Sequence, residues 1–270
     1  MKKIIKNALR KYKYIEMLSY ILQNNQLFNS SGSGEFGNDV DEVYAHNVAI
    51  AKIYADNYRG DLGGKTVLEI GTGFTKATLL VLIREYGLKK AYCYDRFNCL
   101  SDIDEKIISR YGLHDYLDRL EYIAGENLLL TERIDECGVD YIVSNAVLEH
   151  VDDLVLLFNV LNALLAENGQ MYHKVDLRCH NRFKRHGELY FHTFSDRLWK
   201  MMGGNIGQPN RKLLAYYHDL FKTLRLHIEE QVVERFAEDE LLKAGAYLDT
   251  EDVSEYAVSI VEFNLFKDHN

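Results

Sequence analysis

The segment Val67-Leu68-Glu69-Ile70-Gly71-Thr72-Gly73-Phe74-Thr75 carries the strongest chemical signal in the chain. Two glycines one residue apart close an apolar, strand-like run, and a helical pattern follows. Such a turn lets the backbone approach a ligand closely at a helix amino terminus. A dinucleotide site would carry a third glycine three residues after the second, where Lys76 stands. Glu69, two residues before the first glycine, places a carboxylate under the loop, which suits a cationic ligand better than a pyrophosphate. A nicotinamide-dependent oxidoreductase is the competing reading, and Lys76 argues against it.

With those residues in view, the chain resembles the class I S-adenosylmethionine-dependent methyltransferases. Their first motif is matched by Glu69, Gly71 and Gly73, with Thr75 in place of the last glycine. The resemblance implies a second acid after the next strand, supplied by Asp95, whose carboxylate would accept from both ribose hydroxyls. It also implies a polar residue against the adenine amine, Glu126 or Asn127. Asp140 to Val151 resembles the fourth motif, including its Leu148-Glu149-His150 ending. Thr72 and Asn145 fall inside these motifs and are expected to line the cofactor. A non-catalytic S-adenosylmethionine-binding partner protein is the alternative from another class.

The acceptor side is expected at His173-Lys174-Val175-Asp176-Leu177-Arg178-Cys179-His180, a strand running out at its carboxyl end, where open α/β sheets bind ligands. His180 is a candidate general base with Asp176 orienting it, and His150 is a competing base. Arg178, Trp199 and Arg211 are expected to contact the acceptor. No metal is expected. The methyltransferases that hold a divalent ion through Glu-x-x-Glu-His have a glutamate where this chain has Ala146, which leaves one carboxylate too few for magnesium. The aromatic-rich stretch from about 178 to 210, with Phe194-Ser195-Asp196-Arg197-Leu198-Trp199 and Asn210-Arg211, resembles methyltransferases encoded with bacterial surface-polysaccharide genes. That resemblance implies O-methylation of a sugar hydroxyl on a surface glycan or its precursor. An aromatic lid would equally enclose a phenol, a quinone precursor, an amine or a lipid head.

The elements that must position these residues alternate. Strands are expected at 66–70, 91–94, 120–123, 140–144 and 170–175, with helices over 75–86, closed by Gly87, and from Leu154 to a stop at Asn168-Gly169. A helix over 211–224 and two final strands, 226–233 and 256–266, complete the pattern. The implied fold is a Rossmann-like α/β sheet, mostly parallel with an antiparallel strand at one edge. A helical amino-terminal cap with a Gly/Ser-rich loop, either linker or flap, takes residues 1–58, and the methyltransferase domain takes 59–270.

Composition limits the alternatives. The 270 residues hold 47% hydrophobic and 12% aromatic side chains, enough for a sizeable core, and carry a net charge of −9, so general nucleic-acid binding is not expected. Four cysteines without CxxC pairs point to free thiols and a cytoplasmic setting. Lys2, Lys3, Lys6, Arg10, Lys11 and Lys13 crowd the amino terminus ahead of any acid. That segment is expected either to pack on the domain or mediate a homodimer, or to adsorb weakly on the inner membrane face.

Overall fold

The computed structural model describes residues 39–125, 128, 133–134, 138–180, 183, 186–202, 208–250 and 252–267. The basic amino terminus, the Gly/Ser-rich loop, Glu126, Asn127 and Cys137 lie outside the described residues.

Helix α1 (Val40–Asn57) opens on Asp39, whose carboxylate accepts from the backbone N–H groups of Asp41 and Glu42. Val43, Asn47, Ala51 and Tyr54 form its buried stripe. Strand β1 (Thr66–Ile70) leads into α2 (Ala77–Tyr86), buried from Ala77 to Ile83 and ended by Gly87 in the left-handed region at φ 70°. Then follow β2 (Lys90–Asp95), α3 (Asp102–Arg110), β3 (Leu120–Ala124), β4 (Val139–Asn145), α4 (Leu154–Leu164) and β5 (Leu165–Asp176). The chain continues with α5 (Asp196–Met202), α6 (Leu214–Thr223), β6 (Leu226–Arg235), α7 (Glu238–Leu248) and β7 (Val258–Lys267).

The seven strands take the order β3-β2-β1-β4-β5-β7-β6. β1 pairs parallel with β2 and β4, β2 with β3, and β4 with β5, while β7 runs antiparallel to β5 and β6. This is the expected mostly parallel sheet, its antiparallel strand at one end. Both faces are covered, because alternate strand residues enter different cores. Val67, Tyr141 and Val143 join α1 and α2 on one face; Leu68 and Ile142 join α4 and α6 on the other. No helix among the described residues is long and apolar enough to cross a membrane.

Two boundaries differ most from the sequence reading. The helix expected to run to Asn168-Gly169 ends at Leu164, and the strand begins at once at Leu165. Leu165 is fully buried and pairs with Val139 across a register shift in β4. Burial of that leucine in the sheet outweighs continuation of the helix. Gly169 is instead where the leucine folds back, since a Cβ there would meet Leu165 Cδ1 at 2.7 Å. Helix α6 starts three residues later than expected, because Asn210 Oδ1 accepts from the Lys212 N–H and Arg211 takes φ 64°. Helix α7 gave no periodic signal; of its residues only Ala244 is buried.

Phe158 packs edge-on against His173 and Phe221 at the centre of the α4/α6 layer and is fully buried. Phe158→Ala is expected to cost about 3–5 kcal/mol of stability. Urea unfolding with an unchanged m-value checks this.

Candidate active site

The strand order reverses between β1 and β4, and the carboxyl edge at such a switch point is where open α/β sheets take ligands. The first wall is the glycine loop. Gly71 N–H and Thr72 N–H donate to the Tyr94 carbonyl at 2.7 and 3.2 Å, and Gly73 N–H donates to Asp95 Oδ2 at 2.9 Å. Asp95 Oδ1 accepts from Phe97 N–H at 2.9 Å, so this buried carboxylate is held rigidly beside the loop. Oδ1 also takes the Cys99 thiol at 4.0 Å, and Oδ2 keeps a lone pair for a further donor.

Gly71 has φ 76°, and a Cβ there would meet Val147 Cγ2 at 2.4 Å. Gly73 and Gly125 also have positive φ, but a Cβ on either would find open space within 4 Å. Gly71 is therefore required by close packing, whereas Gly73 and Gly125 border an open cradle.

Glu69 lies under this loop, 5% exposed. Tyr54 of α1 donates to its Oε1 at 3.3 Å, and its Oε2 is buried without a hydrogen-bond partner. Burial pushes its carboxyl up to about 7, with Tyr54 and Thr72 opposing and the Asp95 charge adding to the rise. A buried carboxylate short of partners, beside an open glycine cradle, fits a cationic ligand such as S-adenosylmethionine.

A group the sequence reading did not single out ties the loop down. Asp104 of α3 is 2% exposed; it accepts from Thr75 Oγ1 at 3.1 Å and Lys76 N–H at 2.7 Å, and ion-pairs with Lys76 Nζ at 2.7 Å. Thr75 and Lys76, which depart from the three-glycine pattern, are thus anchored by one carboxylate. No local pattern around Asp104 signals this, because the contact joins two helices.

The second wall follows β4 and β5. Asn145 closes β4 opposite Lys174, and Ala146 takes φ 54°. The turn Leu148–His150 then presents Glu149 and His150. From the other side comes His180, with φ 54°. Its Nε2 lies 3.8 Å from Glu149 Oε1 and its Nδ1 3.7 Å from Asp176 Oδ2, and its ring centroid is 5.0 Å from that of His150. His180, Asp176 and His150 therefore gather at one place.

Arg178 forks onto Asp176, Nε to Oδ1 at 2.8 Å and Nη2 to Oδ2 at 2.6 Å. Burial alone would raise the Asp176 carboxyl, but the Arg178 hydrogen bonds and the His180 charge hold it below the usual carboxylate range. Glu149 differs. Burial pushes it well above the ordinary value, and the Asp176 charge adds to the rise. His173, fully buried, pairs with Ser144 Oγ at 2.8 Å, and burial pushes it down to about 3, so it stays neutral inside the sheet.

The remaining expected acceptor contacts are engaged within the protein. Trp199 is 7% exposed and donates through Nε1 to the Pro209 carbonyl at 2.9 Å. It sits in an aromatic cluster with Phe183, Phe191 and Phe194. Arg211 donates to the Phe191 and Phe194 carbonyls and pairs with Asp196. Both frame the insertion. Asn210 does more: its Nδ2 donates to the Leu148 and Val151 carbonyls at 2.9 and 2.8 Å, and its N–H to that of Glu149. The insertion thereby clamps the turn that carries Glu149 and His150. Cys93 and Cys99 are free thiols, and the Cys179 thiol donates to Glu188 Oε2 at 3.2 Å.

An open sheet with a glycine loop, a buried acid after the second strand and a polar cluster beyond it can hold a nucleotide-type cofactor. Residues 40–244 match the family model described as a methyltransferase domain. The chain belongs to that family. No curated protein matches the sequence.

Among solved structures, a putative S-adenosylmethionine-dependent methyltransferase from Listeria monocytogenes is similar, with 16% identity and TM-score 0.52 over 83% of this chain and 99% of that one. Geranyl diphosphate C-methyltransferase from Streptomyces coelicolor A3(2), crystallised with Mg²⁺, a substrate analogue and S-adenosyl-L-homocysteine, shares 15% identity and TM-score 0.53, covering 88% and 83%. Phosphoethanolamine N-methyltransferase 2 from Haemonchus contortus, solved with S-adenosyl-L-methionine, shares 15% identity and TM-score 0.53 over 83% of this chain. This chain spans only 53% of that enzyme. At these identities the likeness is one of fold.

Two outcomes test the cofactor wall. Gly71→Ala is expected to abolish S-adenosylmethionine binding measured by calorimetry. Adding Val147→Ala should restore only part of it, since the clash is relieved but the positive φ remains strained.

Glu69 sets a pH dependence. A cationic ligand needs the ionised carboxylate, so affinity should rise by up to about tenfold per pH unit below 7 and level off above. Stability runs the other way: the folded state keeps a proton that an ordinary carboxyl near 4.5 has lost. The Glu69 contribution is thus present at low pH and lost as pH rises through about 7. Glu69→Gln should flatten both profiles.

Proposed function

We propose that this enzyme transfers the methyl group to a hydroxyl of a sugar, on a surface glycan or its precursor. The observation that carries the reading is the cluster of Glu149, His150 and His180, with Asp176 behind His180 and with Glu149 and His150 on a turn that Asn210 clamps beyond the glycine loop. Bound on Glu69, the loop and Asp95, S-adenosylmethionine supplies an electrophilic methyl on a sulfonium sulfur. Glu69 and the loop residues Gly71, Thr72 and Gly73 hold its cationic end, Asp95 its ribose, and Asn145 lines the same edge of the sheet. Glu126 or Asn127 takes the adenine amine. On the acceptor side, His180, fixed by the Asp176–Arg178 pair, takes the hydroxyl proton, with His150 beside it. Alignment of the hydroxyl supplies much of the remaining rate.

Charge favours a neutral polyhydroxyl over a phosphorylated acceptor. The guanidinium groups of Arg178 and Arg211 are already committed to Asp176 and Asp196, and Glu234 lies beside Arg178. A phosphate or diphosphate there would find neither guanidinium open to it. A glycan built on a lipid carrier would also suit the basic residues 1–13. A small phenol, quinone precursor or amine is the competing acceptor.

Incubation with methyl-labelled cofactor and a panel of glycans, phenols and amines, followed by mass analysis, tests the reading. Methylation confined to phenols or amines removes the sugar, and cofactor binding with no transfer to any class favours a non-catalytic partner. On the accepted substrate, His180→Ala is expected to lower turnover by about 10²–10⁴-fold with cofactor affinity unchanged. His150→Ala should be milder, and the reverse ranking would exchange their roles.

A further inference from the structure

Among the described residues, Glu149, His150 and His180 form the one set of metal-ligating side chains whose donor atoms all lie within 4.8 Å of one another. Three features distinguish this set from an ordinary polar cluster. Glu149 is 2% exposed, with Oε2 left without a hydrogen-bond partner and Oε1 accepting a long 3.4 Å bond from the Asp176 N–H. The cation that would ordinarily neutralise it, Arg178, is turned onto Asp176. The two nitrogens of His180 face different carboxylates, Nε2 toward Glu149 and Nδ1 toward Asp176. A metal-bound imidazole is held in this way, one nitrogen on the ion and the other supported by a carboxylate behind it.

We propose that Glu149, His150 and His180 bind a divalent transition-metal ion of the zinc or manganese kind, with Asp176 positioning His180 and the acceptor hydroxyl as the incoming ligand. The donor set decides the class of ion. Two imidazoles and one carboxylate suit zinc, manganese or cobalt, whereas magnesium and calcium prefer oxygen ligands. The missing glutamate at Ala146 removes a hard ligand and moves the site further from magnesium. An ion here lowers the pKa of a hydroxyl bound to it, which then loses its proton to solvent with His180 as a ligand instead of a base. Binding rests on the cluster alone; only this use of the ion rests on the proposed function.

The test uses untagged full-length protein, stripped with EDTA and titrated with Co²⁺ by visible absorption, and with Zn²⁺ and Mg²⁺ by calorimetry. The expected result is one Co²⁺ per chain, with ligand-field bands of low coordination that Zn²⁺ displaces and Mg²⁺ does not. His150→Ala and His180→Ala should each abolish those bands while S-adenosylmethionine binding, measured on the same samples, persists. Asp176→Asn should weaken Zn²⁺ binding by about 10–100-fold. Failure of the wild type to take up stoichiometric Co²⁺, or bands that survive in both histidine variants, overturns the site. Glycan methylation indifferent to EDTA in a protein without the bands discards the ion and keeps the sugar reading. Stoichiometric Co²⁺ uptake in a protein that methylates no glycan does the opposite.

Discussion

Where Gly71 meets Val147, the loop after β1 and the loop after β4 touch with no room for a methyl group, and both halves of the site depend on that contact. On one side it fixes the glycine loop on the cofactor side. On the other, Val147 immediately precedes the turn that carries Glu149 and His150. The distance from the glycine loop to the Glu149–His150 turn is therefore set by packing of backbone against a branched side chain, a stiff contact, and not by a flexible hinge.

Around that contact the protein treats the buried Asp104, Glu69 and Glu149 and the half-buried Asp176 in two ways. Asp104 and Asp176 are satisfied internally, by Lys76 and Arg178 respectively. Glu69 and Glu149 are not, and burial raises both. The satisfied pair holds architecture, one pinning the glycine loop and the other the strand end. The unsatisfied pair faces the glycine loop on one side and the proposed ion site on the other. Burying an acid without a cation costs stability, and the carboxyl pKa of each rises in response.

The insertion after β5 works as a scaffold for this chemistry. Its aromatic residues form a small core of their own, and Trp199 and Arg211 spend their polar groups inside it. The insertion touches the site through Asn210, which closes hydrogen bonds on three carbonyls of the 148–151 turn. Side chains that look like sugar-binding surfaces in a linear reading are thus part of the frame that holds Glu149 in place.

The sheet was legible in the sequence because its signals are local. Strands β1 to β4 announce themselves as apolar runs, and the glycine turn and Asp95 sit at fixed offsets from them, set by chain geometry alone. His150, Asp176 and His180 were also legible as polar residues at strand ends. What the sequence did not disclose depends on contacts between distant segments. The anchoring of Lys76 by Asp104 joins two helices, and the hydroxyl of Tyr54 reaches Glu69 from another. The early start of β5 was decided by the burial of Leu165, against the turn preference of Asn168-Gly169. Arg178 is a plausible acceptor contact as a residue type, and only the fold commits its guanidinium to Asp176. Residue type and spacing determined which groups stand at the carboxyl edge of the sheet; tertiary packing decided which of them keep a free valence there, because a hydrogen bond or ion pair made inside the protein is no longer available to a ligand.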